Sequence, residues 1–292
     1  MTRRTRAWAL MLLVVLLGGV LSACGGSDDS STVKIGVADA SETYWNVFTQ
    51  KASDEGIDVE LVNFTDYNQP NPALAEGELD LNEFQHLLYL ATYNAKNNQN
   101  LVPIGATAVY PLPLYSTKHQ SLAGIPAGGT VVVPNDPTNL ARALLVLEQA
   151  KLITLKTPGS AFSTVADIDT GASKVKVVAV DAAQTAANLD SVDAAIVNNN
   201  YATAAKLTQD QIIASDDPDS AAAKPYINAF VARDADKNNP TYLKLAALYH
   251  DSDVVKAVKE SLGNDGVLKT NSATDLQQTT KDLQAQVSKN GG

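Results

Sequence analysis

The sequence predicts an α/β fold built as two lobes with a ligand cleft between them, and three observations lead there. Short β-branched runs alternate with amphipathic helical stretches along the 292 residues, the pattern of a mainly parallel sheet covered by helices. Two such strand–helix series, about 33–114 and 120–222, are followed by one more strand and a helical tail. Between the series lies Tyr110-Pro111-Leu112-Pro113-Leu114-Tyr115, whose two prolines suit an extended crossing and would damage a central strand. A second crossing near Pro225 brings the chain back. The lobes read as residues 33–114 plus 226–292, and residues 115–225.

The elements follow in order. Residues 1–23 read as a secretory signal: Arg3, Arg4 and Arg6 form a basic start, and Met11 to Val20 is apolar. An uncleaved membrane anchor would need a run nearer ~20 apolar residues. Leu21-Ser22-Ala23-Cys24 follows. It resembles the bacterial lipobox, in which the cysteine receives a diacylglyceryl group and becomes the new N-terminus. Residues 24–32 are small and polar, a flexible tether.

Val33 to Val37 alternates as a strand. A helix is expected over Glu42–Asp54, a strand over Asp58–Phe64, and a short helix from Pro70 that ends on Gly77. Leu79–Asn82 is a short strand and His86–Lys96 a helix. Leu101–Thr107 and Val109–Tyr115 read as extended. Thr130–Val133 is a strand, and Asp136–Lys151 a helix with Asp136 as N-cap and Pro137 at its first position. Val175–Val180, Ala194–Val197 and Tyr226–Ala232 are strands. The tail from Pro240 to about Ser288 reads as helical throughout.

Charge and composition remove several functions. Asp plus Glu number 32 against 22 Lys plus Arg, for a net charge of −10. Such a chain lacks the basic surface that nucleic-acid binding needs to neutralise phosphates. Cys24 stands alone, so no internal disulfide can form. There is no Gly-x-Ser-x-Gly, phosphate-binding loop, His-Glu-x-x-His or Cys-x-x-Cys. His86, His119 and His250 are far apart, so neither a metal nor another cofactor is expected. Glu76, Glu78 and Asp80, and Asp216, Asp217 and Asp219, read as solvated loop charge.

Two constellations remain. In Pro134-Asn135-Asp136-Pro137-Thr138-Asn139-Leu140-Ala141-Arg142, Leu140, Leu144 and Leu147 make the buried stripe. Asn139 and Arg142 share another face near the helix N-terminus, where free N–H groups attract an anion and a guanidinium can grip a carboxylate. A well-capped surface helix with Arg142 in solvent fits the same residues equally well. In Asn63–Tyr67 and Asp80–Tyr89, the rings of Phe84 and Tyr89 and the imidazole of His86 could wall a slot for a polarisable side chain such as a thioether. On residues alone, core positions for the rings and a structural role for the histidine fit better. Asn198 and Asn228, at strand ends, suit turns.

Taken together these segments resemble the NlpA family of lipoproteins, methionine-binding receptors of bacterial ABC importers. Phe84-Gln85-His86 and Val133-Pro134-Asn135-Asp136-Pro137-Thr138-Asn139 carry the resemblance most specifically. It implies a two-lobed periplasmic-binding fold of type II. It also implies an aromatic and histidine wall of Tyr67, Phe84, His86 and Tyr89 for the methionine side chain. Arg142 and Asn139 would take the head group, with Asn198 and Asn228 completing the site. Glu83 stands where the family has a small residue, Leu87-Leu88 replaces a polar–proline pair, and Pro113-Leu114 sits in the crossing. The implied partners are methionine, an ABC permease with its ATPase, and the membrane, reached through lipid on Cys24 at the extracytoplasmic face. The receptor would be a monomer. Two competing readings are a relative shifted to another small amino acid or a dipeptide, and a surface lipoprotein without a transport role. An enzyme is not expected, because no nucleophile–base pair or metal set is visible.

Overall fold

β1 (Val33–Val37), α1 (Thr43–Asp54), β2 (Val59–Asn63), α2 (Pro70–Glu76), β3 (Leu81–Glu83), α3 (Leu87–Asn97) and β4 (Val102–Ala106) run in sequence and set up the first sheet. The computed structural model describes residues 32–261 and 266–290. The signal segment and Cys24 therefore lie outside the described residues. Strands β1, β2 and β3 pair parallel, with Val33 beside Val59 and Ile35 beside Leu81. β5 (Ala108–Val109) then leads into the crossing, and β6 (Leu114–Tyr115) opens the second sheet. Prolines 111 and 113 interrupt the extended run expected from Val109 to Tyr115. Leu114, read above as the end of the first lobe, pairs with Ile196 in the second sheet.

The second sheet continues with β7 (Thr130–Pro134), α4 (Pro137–Gln149), β8 (Lys176–Val180), β9 (Ala194–Ile196), α5 (Asn199–Ala204) and β10 (Ile212–Ala214). Its order is β10-β6-β9-β7-β8, with β7 parallel to β8 and β9. A short 3-10 turn, Ala221–Tyr226, carries the chain back. It takes Tyr226, the first residue of the expected strand; β11 (Ala229–Ala232) begins later and runs antiparallel between β3 and β4. The first sheet is therefore ordered β2-β1-β3-β11-β4. Its middle is closed by a strand that arrives only after the second sheet is complete.

The tail is not one helical run. α6 (Pro240–Leu248) and α7 (Ser252–Ser261) are followed by β12 (Val267–Leu268), which pairs with β5, and by α8 (Ala273–Lys289). The sequence Gly263-Asn264-Asp265-Gly266 is rich in residues disfavoured inside helices. Asn239 caps α6, accepting from Thr241 N–H at 2.9 Å, and Ser272 caps α8, accepting from Asp275 N–H at 3.2 Å.

Each sheet has its own core. Around the first, the fully buried Trp45 and Phe48 of α1 meet edge to face at 5.3 Å, and Phe48 stacks on Phe230 at 5.8 Å. Burying such a side chain contributes about 1.5–3 kcal/mol. α6 lies close enough to β4 that a Cβ on Gly105 would stand 2.7 Å from the Cβ of Ala246, so this crossing needs glycine. Around the second sheet, Leu144 and Leu147 of α4 pack on Val131 and Val133 of β7 together with Leu112, Leu114 and Ile196. The apolar stripe read from the sequence is thus the face that α4 buries. Its opposite edge, and the ends of β1, β3 and β9, border the cleft.

Candidate functional site

A cleft is lined by the ends of strands from both sheets and by the crossing Tyr110–Leu112. All eight positions expected to bind ligand line it.

The first wall is aromatic. Tyr67, Phe84 and Tyr89 form a triangle with ring centroids 5.8–6.2 Å apart in tilted and edge-on pairs. Tyr89 Oη donates to the backbone carbonyl of Tyr67 at 3.1 Å, which anchors the Tyr89 ring. Beneath them, Asn71 Nδ2 donates to Gln85 Oε1 at 2.7 Å, and Gln85 Nε2 donates back to Asn71 and to Asn82 Oδ1 at 3.0 Å. This buried amide network holds the bend Phe84–His86 in place and accounts for the glutamine of the Phe-Gln-His motif. Satisfied networks of this kind specify one local geometry.

His86 caps α3. Its Nδ1 accepts from Tyr89 N–H at 3.1 Å, and its ring meets Tyr226 edge-on at 5.2 Å. Burial, and secondarily the Arg142 charge, depress its pKa to about 3. The ring is therefore neutral, and because Nδ1 is an acceptor the proton sits on Nε2. Nε2 is buried with no partner among the described residues, and so is Asn198 Oδ1. One free donor and one free acceptor thus border the same cleft. A buried polar atom left unpaired costs about 1–3 kcal/mol, so both invite a ligand.

Arg142 rises from α4 in the second wall. Asp136 caps that helix, its Oδ1 accepting from Asn139 N–H at 2.9 Å and its Oδ2 from Asn139 Nδ2 at 3.0 Å. The sequence expectation left these helix-end N–H groups for an incoming anion. Here the cap carboxylate takes the Asn139 N–H, as an N-cap aspartate is built to do. The cation that lines the cleft on this wall is the Arg142 guanidinium. Arg142 is buried, with Nε donating to Asp216 Oδ2 at 2.6 Å, Nη2 donating to the Tyr110 carbonyl at 2.8 Å, and Cζ lying 4.2 Å over the Tyr226 ring. The surface-helix alternative for Arg142 therefore falls. Asn198 Nδ2 donates to Asn139 Oδ1 at 3.1 Å. Asn228 is placed differently: its Nδ2 donates to the carbonyls of Ala108 and Tyr226, both at 3.3 Å. It borders the cleft but ties the returning chain to β5.

Several residues that matter here were missed in the sequence. Asp216, read as solvated loop charge, balances Arg142 and accepts from Leu112 N–H at 2.7 Å. Its two partners lie 74 and 104 residues away in sequence, so no local pattern announces it. Tyr226 faces the guanidinium. Asn200 and Tyr201 reach across the cleft: Tyr67 Oη bonds Asn200 Oδ1, Asn200 Nδ2 donates to Ala38 O at 3.3 Å, and Tyr201 Oη donates to Thr65 O at 3.0 Å. The Asn198–Tyr201 run held these residues, and only the contacts reveal their use. Among the described residues no cluster of His, Cys, Asp or Glu could hold a metal, and no helix is long and apolar enough to cross a membrane.

Comparison with known proteins places this geometry. The NlpA lipoprotein family matches residues 33–270, which contain every cleft residue. The chain belongs to that family. Among the relatives of this NlpA lipoprotein is a Vibrio cholerae protein named "Probable D-methionine-binding lipoprotein MetQ", 38% identical over 82% of this chain and 90% of its own length. The substrate-binding protein of a methionine transporter from Streptococcus pneumoniae superposes with TM-score 0.76 at 38% identity, over 82% of this chain and 95% of that one. A nutrient-binding protein from Burkholderia cenocepacia, solved bound to methionine, gives TM-score 0.76 at 36% identity over 82% and 100%. The fold is the two-lobed α/β type of periplasmic substrate-binding proteins.

Proposed function

We propose that this NlpA-family lipoprotein captures methionine between its lobes and hands it to an ABC permease and its ATPase, acting as a monomer tethered by lipid on Cys24 to the extracytoplasmic face of the cell membrane. The lobes are assigned as residues 33–113 with 226–290, and 114–225. The observation that supports this reading most is the chemistry of the two walls. One offers an aromatic triangle of Tyr67, Phe84 and Tyr89, and the other a buried guanidinium beside Asn139 and Asn198. The slot suits a long unbranched thioether, since sulfur against aromatic rings gains about 0.3–1.5 kcal/mol. The polar wall suits a carboxylate: Nη1 is the guanidinium nitrogen without a hydrogen bond among the described residues, and His86 Nε2–H stands free as a further donor. Asn198 Oδ1 accepts from the ligand in turn. Asn228 acts by holding the cleft floor. Relatives named for methionine binding support the same reading. A ligand that touches both walls binds the closed form better than the open one, and that difference drives closure.

The function is binding, with no chemical step. The test is calorimetric titration of the protein, freed of carried-over ligand by unfolding and refolding, with L-methionine, D-methionine, norleucine, leucine and a methionyl dipeptide. Methionine is expected to bind best. If a dipeptide or leucine binds as well or better, the slot serves another ligand.

A further inference from the structure

Glu83 ends β3 inside the cleft, buried to 4% exposure. Its Oε1 accepts from Thr107 Oγ1 at 2.7 Å, and its other oxygen makes no hydrogen bond among the described residues. The acid nearest to it in the same cleft, Asp39, is fully used: one oxygen accepts from Tyr44 Oη at 2.6 Å and the other from Trp45 Nε1 at 2.8 Å. The groups that face Glu83 are Asp39 after β1, Tyr44 on α1, Tyr110 in the crossing and Tyr249 after α6. None is a cation. Arg142, the one guanidinium lining the cleft among the described residues, is turned to Asp216 and the Tyr110 carbonyl. A buried carboxyl with a spare oxygen, a second acid beside it and no positive partner is a site for a cation brought from outside.

We propose that Glu83 is a specificity-determining residue of the cleft: its carboxylate receives the ammonium group of the captured amino acid, at the opposite pole from the guanidinium that takes the carboxylate. This rests on the amino-acid reading above and adds to it the group that recognises the amine. The cleft then selects zwitterions, because a carboxylic acid that lacks the amine leaves the carboxyl pair unanswered.

A second consequence follows from burial. Desolvation, together with the Asp39 charge, raises the Glu83 pKa to about 8. In the empty cleft near pH 6.5 the carboxyl therefore keeps its proton. An arriving ammonium favours the carboxylate, so that proton passes to solvent as the ligand binds. Affinity should rise by roughly tenfold per pH unit between about pH 6 and 7.5, while the amine of the ligand stays charged.

The experiment is titration calorimetry of the full-length lipoprotein in detergent micelles, near pH 6.5, in two buffers of different ionisation heat. Methionine and its desamino analogue 4-(methylsulfanyl)butanoate are compared on wild type and Glu83→Gln, a substitution that keeps an acceptor for Thr107. Wild type should release close to one proton per methionine and none with the analogue. Glu83→Gln should release none and bind methionine about tenfold or more weakly, with the analogue bound alike by both proteins. Methionine affinity in wild type that falls as pH rises overturns the assignment while leaving the methionine reading intact. So does equal methionine affinity in Glu83→Gln. The proton count on wild type stands even if the variant folds poorly. Absence of methionine binding to wild type removes both readings together.

Discussion

Arg142 and Asn139 stand one turn apart at the start of a single helix, whereas Tyr67, Phe84 and Tyr89 come from a loop, a strand end and a helix of the other lobe. The polar wall is held by charge: a capped helix, an ion pair to Asp216 and a ring under the guanidinium. The aromatic wall is held by packing and by an amide network behind it. On the proposed reading, the polar wall fixes where a carboxylate goes, and the aromatic wall fixes which side chain follows. A receptor of this design can change its ligand by altering rings and keep its grip on the head group.

Breaking the polar wall should cost most. Removing one partner of a desolvated charge pair typically costs about 2–5 kcal/mol. Arg142→Ala should therefore weaken methionine binding roughly thirtyfold or more by calorimetry. It also strands Asp216, so some loss of thermal stability is expected in the ligand-free protein. Asp216→Asn sharpens the point: it should lower ligand-free melting yet enlarge the melting shift on ligand addition, because the ligand carboxylate then supplies the missing counter-charge.

A pH effect of similar size belongs to the aromatic side, through Glu83. Its folded pKa of about 8 lies above the ordinary 4.5. Between these values the folded state holds a proton that the unfolded state has lost, so stability falls as pH rises through that window. Glu83→Gln has no such proton. Its ligand-free melting point should match wild type near pH 5 and exceed it near pH 8.5, by an amount on the order of 2–4 kcal/mol in stability. A gap that does not widen with pH would mean that Glu83 is ionised in the folded protein.

Smaller effects come from single rings and from the clasp. Phe84→Ala removes one side of the slot and should cost about tenfold for methionine, measured by competition. Tyr201→Phe deletes the cross-cleft bond to Thr65 O. One such bond contributes about 0.5–1.5 kcal/mol, so a two- to tenfold faster ligand release is expected in stopped flow. An unchanged release rate would show that the clasp plays no part in closure.

How far each wall was legible follows from how local its logic is. The helix start Asp136-Pro137-Thr138-Asn139 could be read because cap, proline and apolar stripe all lie within a few turns. The same stretch did not say whether Arg142 faces water, since that depends on Asp216 and Tyr110, which arrive from distant segments. All eight expected positions border the cleft, yet residue types alone favoured core, structural or turn roles for Phe84, Tyr89, His86, Asn198 and Asn228, and left Asn139 and Arg142 evenly balanced. The family resemblance, rather than periodicity, singled them out. Asn228 shows the limit of position matching, because it borders the cleft with its amide spent on backbone carbonyls. The helical tail was misread at β12, a two-residue strand that hydropathy cannot separate from helix and that pairs with β5, far away in sequence.

The central claim is that the two walls jointly select methionine. The most direct measurement is a competition series at one pH on ligand-free protein, with methionine, norleucine, leucine and alanine displacing one another. The account predicts methionine clearly ahead of norleucine and leucine, with alanine undetectable, and every affinity falling in Arg142→Ala. Leucine equal to methionine would contradict the role given to the aromatic wall. An order preserved at full affinity in Arg142→Ala would contradict the role given to the polar one.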